Sequence, residues 1–301
     1  MNNCIDAGHE GCPCTLAESG HCLVCGRLNG ATCDTCSWQG VCIYSLYAQN
    51  GRRPAETRDG QPMKIVEKKT YSPSFAAFVL EADRGFCQKA AEAGTYVFVR
   101  GGYGNSWFDM PVSVLKSEPE KERIHLGICG CGPKSVSILE QEDMLLVRGI
   151  YRNGLTGIGA LRAYPEQTLI FGKGIAIAPL RNFLDGGERY TRYLKNMKLY
   201  ADLEKTGFDF FRDYFGDLPV EAIEICDFSQ TDFRRFFTGK EANIFALASP
   251  YYVEQIRDSS GGTGAFVCPT EGNFCCGEGI CGACTENDAY GRTVRRCKAA
   301  K

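Results

Sequence analysis

No apolar run in this 301-residue chain reaches the roughly 18 residues of a membrane span, so neither a spanning helix nor a membrane partner is expected. Neither sign of charge dominates. With 34 basic and 36 acidic side chains the net charge is −2, which argues against nucleic acid or an anionic membrane surface as a partner. The opening Met-Asn-Asn-Cys-Ile-Asp lacks the basic and apolar stretches of a signal peptide. That absence bears on the 18 cysteines. In an exported chain they would read as disulfides. Without an export signal, metal ligation in a reducing cytoplasm is the expectation.

The cysteines are unevenly spread, with eight in the first 42 residues and six in the last 34. Near the end stands Cys276-Gly-Glu-Gly-Ile-Cys281-Gly-Ala-Cys284, followed by Cys297. Gaps of four and then two residues, closed by a distant fourth cysteine, form the plant-type [2Fe-2S] pattern, two thiolates for each iron. Structural zinc sites favour paired short spacings instead. Gly277, Gly279 and Gly282 let such a loop fold tightly, with its N–H groups aimed at the sulfurs. Cys275 is an adjacent alternative, but only Cys276 gives the four-residue gap.

Residues 1–49 carry Cys4, Cys12, Cys14, Cys22, Cys25, Cys33, Cys36 and Cys42, with His9 and His21. The pairs Cys22/Cys25 and Cys33/Cys36 have the spacing of metal knuckles. The segment is too poor in aliphatic residues to fold on an oil core, so a metal is expected to supply much of its stability. The candidate ligands of this second site or sites, iron–sulfur or zinc, are Cys12, Cys14, Cys22, Cys25, Cys33, Cys36 and Cys42. The two histidines are expected to face solvent. Residues 49–62, with Gly51, Pro54 and Asp59-Gly60, read as a linker.

The middle of the chain reads as two lobes. From about Met63, short apolar runs at 65–66, 75–80, 95–100, 112–115, 124–128 and 144–148 alternate with turns, the pattern of a small antiparallel barrel. Gly132-Pro133-Lys134-Ser135 precedes a short helical stretch whose N-terminus offers N–H groups to a phosphate. His125 sits within a strand pattern and reads as a satisfied structural histidine. Beyond it, strands at 168–171, 197–201, 220–225 and 243–248 alternate with helical stretches at 208–215 and 251–256, which implies an α/β lobe with a parallel sheet. The first of these strands runs into Gly172-Lys173-Gly174, a glycine turn suited to a pyrophosphate. Asp202 ends the second, where an acid would bond a ribose hydroxyl and favour NAD over NADP.

Barrel, nucleotide-binding α/β domain and [2Fe-2S] tail, in that order, resemble the electron-transfer subunit of dihydroorotate dehydrogenase within the ferredoxin–NADP reductase superfamily. The small subunit of NADH-dependent ferredoxin:NADP oxidoreductase looks the same. The resemblance covers roughly residues 63–301. In that family an Arg-Pro-x-Ser/Thr strand binds FAD, with the arginine on the pyrophosphate and the hydroxyl near the flavin. Here Met110-Pro111-Val112-Ser113 keeps the proline and serine and lacks the arginine. The family's phosphate loop corresponds to Gly132-Pro133-Lys134-Ser135, and its Gly-Pro-Leu-Gly-Asn-Gly turn to residues 149–154, including Asn153. Arg152 is a candidate replacement for the charge missing at position 110. The glycine fingerprint becomes Gly172-Lys173-Gly174-Ile-Ala-Ile-Ala-Pro179, with a long side chain at 173, and the family's Cys-Gly-Pro becomes Ala248-Ser249-Pro250.

The cysteine-rich N-terminus, which the resemblance excludes, and the resemblance together imply a multidomain α/β plus β chain. Its parts are a Cys-rich metal-binding segment with linker (1–60), an FAD-type antiparallel β-barrel (61–164), an NAD(P)-binding-like α/β domain (165–262) and a [2Fe-2S] segment (263–301). The resemblance places FAD and NAD(H) on Pro111, Ser113, Gly132, Lys134, Ser135, Asn153, Gly172, Gly174 and Asp202. The implied function is a cytoplasmic oxidoreductase electron-transfer subunit, a flavoprotein exchanging electrons with a separate catalytic subunit in a hetero-oligomer. The alternative is a structural iron–sulfur adaptor on the same fold that has lost nicotinamide binding, with or without loss of flavin binding.

Overall fold

The computed structural model describes residues 3–55, 58–102, 109–240, 242–287, 291 and 293–300. Glu56 and Thr57 of the expected linker lie outside them. The chain divides into two units, one of residues 61–271 and the other joining residues 1–60 to residues 272–301.

In chain order the second of these units opens with β1 (Asn3–Cys4), α1 (Thr15–Glu18) and α2 (Ile43–Gln49). The barrel follows in the larger unit: β2 (Gln61–Ser72), β3 (Phe75–Glu81), α3 (Arg84–Ala90), β4 (Tyr96–Gly101), β5 (Met110–Glu118), β6 (Arg123–Cys129), α4 (Pro133–Leu139) and β7 (Met144–Tyr151). The strands close in the order β2-β3-β6-β5-β4-β7, every pair antiparallel. Closure leaves no edge unpaired. Successive side chains of a strand face opposite sides of the sheet. Ala76, Phe78 and Leu80 of β3 fill the barrel, while Phe75 joins the core of the next lobe.

That lobe holds β8 (Leu155–Thr156), β9 (Thr168–Lys173), α5 (Leu180–Asp185), α6 (Glu188–Thr191), β10 (Met197–Asp202), α7 (Gly207–Phe215), β11 (Ile223–Ile225), β12 (Asn243–Leu247), α8 (Pro250–Ser259) and β13 (Ala265–Pro269). The sheet order is β11-β10-β9-β12-β13-β8, parallel except for β8. β9 is buried on both faces, Ile170 against Phe183 and Phe210, Leu169 and Phe171 against Phe228, Phe233 and Phe236. Strand order reverses between β9 and β12. The crevice outside their carboxyl ends is where sheets of this kind take ligands.

Two local expectations change. The glycine turn after β9 runs into a single 3-10 turn, Gly174–Ile177, before the six-residue α5. The strand expected over 220–225 is a 3-10 turn followed by three residues of β11.

The chain ends with β14 (Thr285–Asn287), β15 (Thr293–Arg295) and β16 (Ala299–Ala300). β14 and β15 pair as a hairpin, and β16 pairs antiparallel with β1, Cys4 opposite Ala299. Ala17, Cys25, Leu28 and Ile43 form this unit's small core. Among the described residues no helix is long and apolar enough to cross a membrane.

Candidate cofactor and cluster sites

At one end of the barrel three cationic side chains meet one acid. Arg148 donates to Asp109 Oδ2 from Nη2 at 3.0 Å and from Nε at 3.3 Å. Arg100 Nε lies 3.6 Å from the other carboxylate oxygen, and Lys134 Nζ donates to the Asp109 carbonyl at 3.2 Å. The Arg100, Asp109 and Arg148 side chains are each less than a fifth exposed. Arg148 also lies over the Phe98 ring at 4.7 Å and donates to the Tyr151 hydroxyl. Among the described residues, Arg100 Nη1 is buried without a hydrogen-bond partner. Buried donors are nearly always satisfied, so this orphan marks a place for an acceptor, and the cations around it favour an anion.

The sequence pattern had not singled out Arg100, Arg148 or Asp109. Each arginine is the polar end of an expected strand, and the pairing of β4 with β7, Phe98 opposite Arg148, brings the two together. Arg152 does not take the role suggested for it. Its Nε bonds Glu92 at 2.9 Å. Met110 instead packs against the barrel core.

The residues singled out in sequence fall around this site with different duties. Pro111 is exposed and Ser113 half-buried, on the outward face of β5. Ser135 is buried, and its hydroxyl accepts from the N–H groups of Cys131 (2.9 Å) and Gly132 (3.1 Å) while donating to the Gly132 carbonyl. It caps the loop leading into α4. Asn153 is buried and accepts from the Tyr96 hydroxyl at 3.3 Å.

At the carboxyl end of β9, Gly172 and Gly174 are both sterically required. A Cβ on Gly172 would meet Ile177 at 2.8 Å; one on Gly174, whose φ is +52°, would meet the Glu204 carboxylate at 2.8 Å. Lys173 Nζ bonds Asp202 at 2.5 Å and Glu204 at 2.9 Å and lies 5.1 Å from the Tyr252 ring centre. Asp202 also accepts the Phe228 N–H at 3.0 Å. Asp202 is thus engaged by Lys173, and the chain's own ion pairs fill the turn.

The four C-terminal cysteines come together. The Cys297 thiol hydrogen-bonds both Cys276 and Cys284, and Cys281 bonds Cys276. The Cys297 hydrogen bonds carry Cys276 down to about 4 and Cys284 to about 6, against burial, while Cys297 itself is raised. Backbone N–H groups of Glu278 and Cys297 point at the sulfurs of Cys276 (3.3 Å) and Cys284 (3.5 Å). Gly277, Gly279 and Gly282 have φ of +71°, +75° and +76°, the tight loop expected of them. Among the described residues, no three His, Cys, Asp or Glu side chains are arranged around a single metal ion. A two-iron cluster asks less, two thiolates on each iron.

The N-terminal cysteines divide. Cys12, Cys14 and Cys22 line one pocket with Cys4, closed by Leu16, Ala17, Val24 and Ile43. Burial pushes the thiols of Cys4 and Cys12 up to about 12 and 11. Cys25 lies in the small core, its N–H on Cys22 Sγ at 3.3 Å. Cys33, Cys36 and Cys42 are exposed, as are His9 and His21. In the same unit a buried ion network has no counterpart in the sequence pattern. Lys298, fully buried, bonds Asp6 and Glu278 at 2.6 Å each, and Arg58 bonds Asp6 at 2.5 Å and Glu278 at 3.3 Å.

A cleft of about 470 Å³ between the barrel and α5 and α7 offers no comparable chemistry. Its charges pair among themselves, Lys69 with Asp213 and Arg181 with Asp217. His125 is held between Glu118 (3.0 Å) and the Tyr214 hydroxyl (3.1 Å), the satisfied histidine its sequence setting implied.

A closed six-stranded barrel followed by a parallel α/β lobe is the architecture of ferredoxin–NADP reductase-like flavoprotein reductases, and solved structures of that kind superpose on this chain. A structure of NADH-dependent reduced ferredoxin-NADP oxidoreductase, studied for flavin-based electron bifurcation, aligns with TM-score 0.56 at 16% identity, over 78% of this chain and 85% of that one. Phthalate dioxygenase reductase, which moves electrons from pyridine nucleotides to [2Fe-2S], aligns at 0.53 and 16%, over 80% and 95%. A ferredoxin NADP+ reductase from Neisseria gonorrhoeae with bound FAD and NADP aligns at 0.51 and 14%, over 68% and 91%. At these identities the likeness is one of fold. No protein-family model and no curated protein matches the sequence.

Proposed function

We propose that this chain is an oxidoreductase electron-transfer subunit, with FAD on the barrel lobe and a [2Fe-2S] cluster on Cys276, Cys281, Cys284 and Cys297, serving a separate catalytic subunit in the cytoplasm. The observation that carries the reading is the chain of thiol contacts from Cys281 through Cys276 and Cys297 to Cys284, on a glycine-shaped loop. The cation site supports the flavin. Arg100, Arg148 and Lys134 would hold its diphosphate, with Arg100 Nη1 supplying the unused donor. Arg148 and Arg100 come from neighbouring strands and so replace the arginine that position 110 lacks. Pro111, Ser113, Gly132 and Asn153 stand around the same strands and loops as further flavin contacts. A bound flavin takes two electrons from a nicotinamide and releases them singly, which suits a one-electron cluster. The residues of this chain contribute charge and position. Arg100 and Arg148 orient an anion, and the glycine loop turns N–H groups toward the thiolates.

A metal in the N-terminal segment, iron–sulfur or zinc, belongs to the same reading. Thiols that burial keeps protonated become ligands when a cation takes their charge. Cys4 joins Cys12, Cys14 and Cys22 as a candidate, and Cys25, Cys33, Cys36 and Cys42 remain candidates for a further site.

One observation favours the second reading, an adaptor that has lost nicotinamide. Lys173, bonded to Asp202 and Glu204, fills the turn where a pyrophosphate would lie. The visible spectrum of anaerobically purified protein separates the two. Iron, acid-labile sulfide and a flavin band that NADH bleaches are the expected result. A flavin that only dithionite bleaches selects the adaptor, and iron without flavin overturns the flavoprotein reading.

A further inference from the structure

Outside the cluster sites, two cysteines stand face to face on the barrel. Cys129 ends β6 and Cys131 lies two residues on, with their sulfurs 3.4 Å apart. The backbone makes this pairing persistent. Gly130 between them lies against Leu139, whose Cδ1 a Cβ there would meet at 2.9 Å. Its N–H is held by the Ser74 carbonyl at 2.7 Å. On the other side the Cys131 N–H is held by Ser135 Oγ at 2.9 Å. Anchored before and after, the Cys-Gly-Cys segment presents both sulfurs together. The two are unequal. Cys131 is exposed and Cys129 half-buried, and burial, with the Cys131 contact, pushes the Cys129 thiol up to about 11.

We propose that Cys129 and Cys131 form a thiol–disulfide exchange site whose oxidant is a low-molecular-weight disulfide. The exposed Cys131 thiolate attacks one sulfur of the disulfide RSSR. The new bond joins Cys131 Sγ to one RS group, and the other leaves as thiolate and takes a proton. Cys129 then loses its proton to solvent and attacks Cys131 Sγ, and the second RS group leaves and is protonated. The two cysteines lose two electrons and two protons, and RSSR becomes two RSH. Access from one side and a resolving thiol in contact on the other are what such exchange requires. An exposed pair belongs with the labile disulfides rather than the structural ones. The exchange needs neither flavin nor iron, so it stands or falls apart from the proposed function.

The test uses the full chain, purified anaerobically in reduced form, titrated with glutathione disulfide, quenched with N-ethylmaleimide and cut with trypsin. Cleavage after Arg123 and Lys134 isolates a peptide, Ile124–Lys134, whose only cysteines are these two. The expected result is replacement of the doubly labelled peptide by an unlabelled one, two hydrogens lighter than the dithiol. Cys129→Ser should stop at a mixed disulfide on Cys131, and Cys131→Ser should leave Cys129 as a free thiol. Cys87, fully buried, is the unreactive internal standard. A wild-type peptide that stays doubly labelled in excess glutathione disulfide, or that stops at a stable mixed disulfide, overturns the proposal. The readout on the wild-type chain does not depend on either variant folding.

Discussion

Replacing Lys298 by methionine should destabilise the unit that joins the two ends of the chain by about 3 kcal/mol or more. Lys298 is fully buried, and its ammonium lies 2.6 Å from both Asp6, itself 1% exposed, and Glu278, at 14%. Burial pushes its pKa down, but the two carboxylates more than reverse this and hold it charged. Burial likewise pushes Asp6 up, and Lys298 with Arg58 outweighs it, so Asp6 stays ionised. The network therefore holds two anions and two cations. Methionine preserves the apolar stem and removes one cation, leaving Asp6 and Glu278 to share Arg58. Removing one partner of a buried pair costs about 3–5 kcal/mol because the other charge stays uncompensated. The lower end applies here, since Arg58 still reaches both acids. In a unit of this size such a loss lowers the melting temperature by roughly 12 °C or more. Anaerobic urea titration followed by near-ultraviolet circular dichroism measures it. The double variant Lys298→Met with Asp6→Asn supplies the sharper check. It removes one of the two stranded anions, so it should recover part of the loss rather than add to it. A single-variant effect below about 1 kcal/mol, the range of exposed pairs, or simple additivity in the double variant, would refute the account.

Three further outcomes are expected. Cys281→Ser should abolish the C-terminal cluster, because a four-ligand site loses an interior member; unchanged iron and acid-labile sulfide would contradict the assignment. Arg100→Met should weaken flavin binding at least tenfold, since a hydrogen bond from a charged donor is worth about 1.5–3 kcal/mol, and flavin retained at wild-type affinity on ultrafiltration would remove Arg100 from the site. In the barrel, burial pushes Glu118 up, but hydrogen bonds from Lys121, His125 and Lys116 carry it down to about 2. Its folded value lies below its ordinary 4.5, so its contribution to stability is complete above that pH and is lost as pH falls toward 2. Glu118→Gln should flatten that part of the curve of urea midpoint against pH, and an unchanged slope would assign the acid sensitivity elsewhere.

What could be read from the sequence was local. The barrel strands announce themselves as short apolar runs set between turns, and β3 and β6 show it. The proximity of Cys276, Cys281, Cys284 and Cys297 was legible because spacing within a loop survives in the one-dimensional string. Three features were not legible, and for one reason: each depends on residues brought together from far apart. Lys298 and Asp6 stand at opposite ends of the chain and meet through the pairing of β1 with β16. Arg100 and Arg148 converge because of the β4–β7 register, so a motif scan that asked position 110 for an arginine could report only its absence. Arg152, nearest in sequence to the expected turn, was the natural substitute and is bound to Glu92 instead.

Lys173 is the instructive case between these extremes. Sequence showed a long side chain where a fingerprint glycine was expected, and left open whether it would reach for a phosphate or take its place. The structure gives it two carboxylate partners from the chain itself, Asp202 and Glu204. A lysine so paired has little charge left to attract a phosphate, and Asp202, the acid expected to bond a ribose, is committed to the lysine and to the Phe228 N–H. At the other lobe the balance is reversed, with two arginines and a lysine around a single aspartate and one guanidinium nitrogen without a partner among the described residues. The two sites therefore differ in electrostatic readiness. Anion binding at the barrel needs only the displacement of Asp109 by a stronger acceptor, whereas at β9 it would need the breaking of two ion pairs, so flavin should bind this chain more readily than nicotinamide does.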